Sequence, residues 1–433
     1  MKKLAYFVLF IIIIAVALQL ITSNIAKNQL DTYIQTIENM ENISVQSKDI
    51  KHNIFGTDID LKVMAKIMHQ DIEFDINGTN TYILLPSFSK ASGTLSVTKQ
   101  PYAQVALAIF GTQTPMSFNA DLGFSKSHLS IQIAPLNIID EAKLSIQGSS
   151  ASADIRGDKL KKLDFKAPNI LLEDLDGTMQ ILGFEYFLNY DEPIAPSELM
   201  KVRNSNGGLK ASSVALSTLI FNLSLSEPFN TLKLVDKGDK YDIISTSGIK
   251  KLDILGLGLE DIALELGFTG LDSNASEYFA SLDEQSLQNG LLASSDIAKL
   301  FDNKSTFLLK NFSFKANGGE AKLSLKITLD SSYTSDKIST LDDYLLISGE
   351  LNATKPISAM LGAWGEMLKA NEQEALASGM LKASNEGYTA TFSMDKNKLL
   401  INGVEQDLSF LGDDRSSEDA KFMTDMYEGL QQQ

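Results

Sequence analysis

Asp58-Ile59-Asp60-Leu61-Lys62-Val63 sets a charged side chain against an apolar one at every step, and a period of two is the spacing of a strand with one face on a core and the other in water. The same alternation recurs at Thr94 to Val97, His128 to Ile133 and Ala142 to Ile146. It returns at Leu216 to Leu225, Leu232 to Leu234, Asp242 to Ile244, Asp261 to Phe268, Thr306 to Phe314, Ala321 to Leu329, Tyr344 to Leu351 and Tyr388 to Met394. Between the early strands stand Asn77-Gly78, Ser92-Gly93 and Gly148-Ser149-Ser150, residue types that tolerate the positive φ of hairpin turns. The pattern predicts antiparallel sheet built from local hairpins.

Upstream of the strands the pattern changes. Lys2 and Lys3 precede an apolar run from Leu4 to Thr22 interrupted by Gln19, long enough to span a hydrocarbon core of about 30 Å as a helix. The basic start favours a cytoplasmic N-terminus. Ala15-Val16-Ala17 matches the small-x-small site of a cleaved signal peptide, but Leu18, Leu20 and Ile21 continue the apolar stretch with no polar region after it, which favours an uncleaved anchor. Ile25, Leu30, Tyr33, Ile34, Ile37 and Met40 then follow near helical spacing, as a juxtamembrane amphipathic helix would.

Downstream, Ile262 to Leu282 reads as strand, turn and short helix, and Tyr344 to Met367 repeats that order. Helices over Ser276–Leu282 and Ile357–Leu368 would lie on one face of the sheet, with Phe279 and Leu361 in the core and Trp364 and Tyr278 on a groove wall or interface. Further helices are expected at Glu284 to Phe301 and Ser416 to Leu430. Ile181 to Gly208 reads as a long surface loop or domain boundary. The expected organisation is an anchor (1–23), a juxtamembrane helix (24–42), an N-terminal β-rich part (43–205), a C-terminal β-rich part (206–412) and a terminal helix and tail (413–433). The fold class is α+β and β-dominant: a transmembrane helix, then long twisted antiparallel sheets with a few amphipathic helices packed on one face.

Composition narrows the chemistry. Among 433 residues, 55 acidic and 38 basic side chains leave a net charge of −17, which repels phosphate backbones and excludes nucleic acid as a partner. The absence of cysteine removes disulfides, thiolate nucleophiles and zinc-thiolate sites. The three histidines, His52, His69 and His128, have no second histidine at i+2 to i+4 to make a metal pair. Glu173-Asp174-Leu175-Asp176-Gly177 is the densest acidic stretch, with lesser ones at Asp58-x-Asp60 and Asp413-Asp414; it lacks the distal ligand of a calcium loop and reads as a solvated turn. Gly256-x-Gly258 meets Asp261 near where a dinucleotide fingerprint needs its third glycine. No catalytic constellation emerges, and the chain is read as a non-enzyme without cofactor or metal.

Several segments resemble the YdgA-like family of Gram-negative envelope proteins. They are IKHNIFGTDIDLKV (Ile50 to Val63), LELGFTGLDSNASEYFASL (Leu264 to Leu282), LLKNFSFKANGGEAKLSLKITLD (Leu308 to Asp330) and YTATFSMDKNKLLINGVEQDL (Tyr388 to Leu408), the last with Asn402-Gly403 in a closing hairpin. Residues 80–210 show little of the resemblance. It implies an envelope location and an architecture, with no active-site residues, and by analogy with AsmA-type proteins a curved sheet offering a lipid groove. The expected protein sits in the inner membrane through residues 4–22 with its bulk in the periplasm. It binds lipid or another hydrophobic ligand in that groove, or else acts as a structural factor docking an envelope protein.

Overall fold

The computed structural model describes residues 43–406 apart from 68–69, 83–88, 124, 140–141, 158, 196–202, 219, 273–301, 303, 334–343 and 396–397, together with Lys27, Asn28, Asp31, Gln35 and Glu38, which are helical. Among the described residues no helix is long and apolar enough to cross a membrane. The expected anchor at residues 4–22, most of the juxtamembrane helix, the helices at Ser276–Leu282, Glu284–Phe301 and Ser416–Leu430, and Tyr278, Phe279 and His69 lie outside the described residues. The chain is β-dominant, as its alternation predicts, and divides into two compact units, Met1–Thr231 and Leu232–Gln433.

In the first unit β1 (Ile43–Asn53), β2 (Gly56–Ile67), β3 (Gln70–Tyr82), β4 (Ser89–Ser96), β5 (Met116–Leu122) and β6 (Ser127–Ile133) pair antiparallel in succession. A hairpin of β7 (Leu136–Ile139) and β8 (Lys143–Ile146) follows, and β9 (Ser149–Arg156) returns to β6. The long β10 (Lys159–Glu173) takes β8 and β9 as neighbours as well as β11 (Gly177–Ile194). Along β11 lie β12 (Ser205–Lys210) and β13 (Ser213–Thr218), and β14 (Asn222–Ser226) pairs with β13. A helix, α1 (Tyr102–Phe110), closed by Gly111, separates β4 from β5 and has no counterpart in the sequence expectation. Leu61 and Val63 of the opening stretch are buried against Ile43, Val45, Ile50, Ile59 and Ile76, so the alternation does place one face of this hairpin pair in a core.

Three sequence readings are corrected here. Asn77-Gly78 and Ser92-Gly93 are strand interior, not turns: Gly78 faces Gly93 across β3 and β4, and a Cβ on Gly93 would lie 2.5 Å from the Phe118 ring. These glycines admit an aromatic ring across two strands, a second use of a residue usually read as a turn. Leu216 to Leu225 is a hairpin, β13 and β14, rather than one strand. The expected loop from Ile181 is strand as far as Ile194, and strand resumes at Ser205.

The strand β15 (Phe229–Asp236) carries the chain past Leu232. The second unit contains β16 (Lys240–Ile254), β17 (Leu257–Asp272), β18 (Thr306–Ala316), β19 (Gly319–Leu329) and β20 (Leu345–Ala353), paired in chain order. Two short helices, α2 (Ile357–Met360) and α3 (Glu366–Ala377), flank a 3-10 turn at Gly362–Gly365. Then β21 (Lys382–Ser384) and β22 (Gly387–Asp395) form a hairpin, β22 joins β20, and β23 (Lys398–Ile401) and β24 (Val404–Gln406) complete the order. Asn317-Gly318 and Asn402-Gly403 both hold positive φ, as two-residue hairpin loops require. The single helix expected over Ile357–Leu368 is broken, because Gly362 adopts φ +60° and a right-handed helix does not continue through that conformation.

Candidate functional site

The register of the second unit sorts its side chains into two faces. Leu323, Leu351 and Ala390 stand opposite one another on β19, β20 and β22. The next row on the same face runs Leu266, Leu309, Leu325, Gly349, Phe392 and Ile401 from β17 to β23. The row beyond it includes Phe268 and Phe307, whose ring centroids are 4.9 Å apart. The leucines, isoleucine and phenylalanines of these rows are half-buried rather than buried. The opposite face carries cross-strand pairs such as Lys310 with Glu265, 2.7 Å apart, each worth little in water.

Above the apolar face lies α3. Leu368, Asn371, Glu372 and Ala375 are spaced i, i+3, i+4, i+7 and so share one side of the helix. That side and the sheet enclose a groove of about 540 Å³, floored by Leu323, Leu351, Ala390, Phe392, Leu399 and Ile401, with Ile357, Met380 and Leu381 also lining it. The walls are almost wholly apolar and the groove is open to solvent. No residue of α3 is buried, and Leu368 is 38% exposed; the helix roofs the sheet without filling the space beneath it. The volume falls within the range of small-molecule sites, about 300–1,000 Å³.

Next to the groove the packing is dense. Met360 is fully buried among Ala316, Ala321, Ala353 and Tyr388. The Tyr388 hydroxyl accepts a hydrogen bond from the Ile357 amide at 3.2 Å and donates to Glu372 Oε1 at 2.7 Å. The same Oε1 accepts the Ser358 amide at 3.0 Å, and Ser358 Oγ donates to Glu372 Oε2. Burial alone would raise the Glu372 carboxyl, but hydrogen bonds from Ser358 and Tyr388 outweigh it and hold the group below its ordinary 4.5. Burial, reinforced by that carboxylate, pushes the Tyr388 phenol well above its ordinary value.

A depressed carboxyl stabilises the fold fully above its unfolded-state value, and the contribution disappears as pH falls through the lower folded-state value. Glu372→Gln should therefore flatten the acid limb of stability below pH about 4.5. Urea midpoints measured from pH 3 to pH 6 check this; wild type and variant losing stability in parallel across that range would show that Glu372 contributes no such term.

The sequence-expected positions fall elsewhere. Trp364, on the 3-10 turn, is 43% exposed and is not among the residues lining the groove; Leu361 is half-buried. His52 hydrogen-bonds through Nδ1 to Thr57, 2.8 Å away, and Thr57 to Tyr82. His128 and Lys126 share Asp154 at 2.8 and 3.2 Å. Asp174 accepts hydrogen bonds from the amides of Asp176 and Gly177, the local closure of a turn between β10 and β11, while Glu173 pairs with Lys143 at 2.6 Å. Among the described residues no group of acidic and histidine side chains is placed to hold a metal ion. Glu372 and Tyr388 were not singled out from sequence. The helix side that carries Glu372, with Leu368, Asn371 and Ala375, mixes polar and apolar residues and lies mostly beyond the helix end expected at Leu368, so no apolar stripe marks it in the sequence.

The sequence model of a bacterial protein family of unknown function, DUF945, matches residues 1–408. The chain belongs to that family. The match is compatible with the YdgA-like resemblance. No curated protein and no solved structure matches the chain. In this DUF945 protein the matched residues include α2, α3 and every sheet row beneath them, so the groove lies inside the family region.

Proposed function

We propose that this protein is a single-pass bacterial inner-membrane protein, anchored by residues 4–22 with its N-terminus in the cytoplasm, whose periplasmic bulk holds the acyl chain of a lipid in the groove under α3. The groove itself carries the reading: an open, almost wholly apolar channel between a helix with no buried residue and a half-buried sheet face. The groove floor crosses β19, β20, β22 and β23, from Leu323 through Leu351 and Ala390 to Leu399 and Ile401. At about 4.8 Å per strand it extends roughly 14 Å, close to the hydrocarbon depth of one leaflet, about half of 30 Å. An extended acyl chain fits along it.

In cells expressing the full chain, the protein should be recovered in the membrane fraction, and a neutral photoreactive alkyl probe should label Leu368–Ala375 or Leu399. Ala375→Trp places an indole in the groove, where Ala375 leaves room for one, and should cut labelling by about tenfold, the factor that goes with 1.4 kcal/mol. Recovery as a soluble protein would refute the anchor. Undiminished labelling of the variant would refute the groove.

A further inference from the structure

Among the described residues Glu372 is the one charged side chain lining the groove. Its described hydrogen-bond donors are neutral: the Ser358 amide, the Ser358 hydroxyl and the Tyr388 phenol. Hydrogen bonds from such groups stabilise a carboxylate without cancelling its charge. Among the described residues no lysine or arginine forms an ion pair with it, although many other acids have such a partner nearby, as Glu265 has Lys310. A carboxylate offers about four acceptor positions. Two donors lie on Oε1 and one on Oε2, and the Ile357 amide adds to their stabilisation of the carboxylate. Apolar walls on several sides screen this charge less than water would.

We propose that the groove selects an amphiphile with an ammonium head group and discriminates against one with a carboxylate head. The inference rests on the acyl-chain reading above and adds the polar end of the ligand. An aliphatic amine has an ordinary pKa near that of lysine, about 10.4, and enters as a cation that supplies the positive charge the neutral donors do not. A fatty acid is ionised at neutral pH and would set two carboxylates side by side, a like-charge pair that costs binding. A neutral alcohol supplies no charge of either sign and falls between them.

The net charge of −17 favours any cation in a general way, so the test must isolate Glu372. The full chain in phosphatidylcholine nanodiscs is labelled with the neutral photoreactive alkyl probe in competition with dodecylamine, dodecanoate or dodecanol, the alcohol correcting for partition into the bilayer. On wild type, dodecylamine should compete roughly tenfold or more better than dodecanoate. Glu372→Gln should shrink that ratio several-fold, and Tyr388→Phe, which removes a donor but keeps the carboxylate, should preserve the amine preference. A ratio unchanged in Glu372→Gln, a preference lost in Tyr388→Phe, or dodecanoate as the better competitor overturns the proposal. If none of the three compounds displaces the probe, the acyl-chain reading itself fails.

Discussion

Gly365→Ala should destabilise the second unit by about 3–5 kcal/mol, the range of the most disruptive single substitutions. A Cβ on Gly365 would stand 1.9 Å from the Ser358 carbonyl oxygen and 2.6 Å from its Cα. Both are backbone atoms, so no rotamer change relieves the overlap and α2 must move from the 3-10 turn. Ser358 supplies two of the hydrogen bonds on Glu372; its displacement should also return the Glu372 carboxyl toward its ordinary value. The single tryptophan, Trp364, sits beside Gly365, and its fluorescence reports on this cap during denaturant unfolding of the full chain. Gly258→Ala is the matched control, because a Cβ there meets nothing within 4 Å, and it should stay within about 0.5 kcal/mol of wild type. Equal midpoints for the two variants would mean that the close contact of Gly365 with Ser358 does not constrain the cap.

Met360→Ala should cost about 3–5 kcal/mol, the upper part of the range for a truncated core methionine. The reason lies in its neighbours. Met360 is fully buried against Ala316, Ala321, Ala353 and Tyr388, and a Cβ on Gly319 would lie 2.8 Å from its Cγ. The alanine side chains and strand backbone have no rotamers with which to fill the vacated volume, and the half-buried Leu259, Phe314, Leu351, Ile357 and Leu381 packed against the cluster would have to leave their own contacts to do so, so much of the cavity persists. Met360→Leu nearly conserves that volume and should cost less than about 1.5 kcal/mol. Trp364 fluorescence during urea unfolding separates the two. Comparable losses would show that the Met360 pocket collapses readily. If Met360→Ala also leaves acyl-probe labelling unchanged once folded, packing core and open groove are separate features of the same cap.

Much of the fold is legible because strands with one wet face write a period of two directly into the chain. Asp58 to Val63, His128 to Ile133 and Tyr388 to Met394 all lie in strands as expected, and Asn402-Gly403 is the hairpin turn that its residue types suggest. The failures have a common cause. Asn77-Gly78 has the turn composition of Asn402-Gly403, yet it continues a strand because Phe118, two strands away, occupies the space that a side chain at Gly93 would need. Local propensity cannot register a ring that distant in sequence. The break between α2 and α3 follows the same logic. Gly362 and Gly365 are visible, but the positive φ of the first and the contact of the second with Ser358 appear only when α2 is folded back.

The sequence by itself determined the β-dominant class, the antiparallel hairpins and the apolar face of the sheet, because each depends on neighbours within a strand or across one turn. Only the tertiary structure decided that this face is roofed by α3 without being filled, that Met360 is core while Trp364 lies at the surface, and that Glu372 meets Ser358 and Tyr388 beside an apolar groove. A groove is volume left over between two elements. That volume depends on how closely a helix approaches a sheet, which the periodicity of neither one encodes.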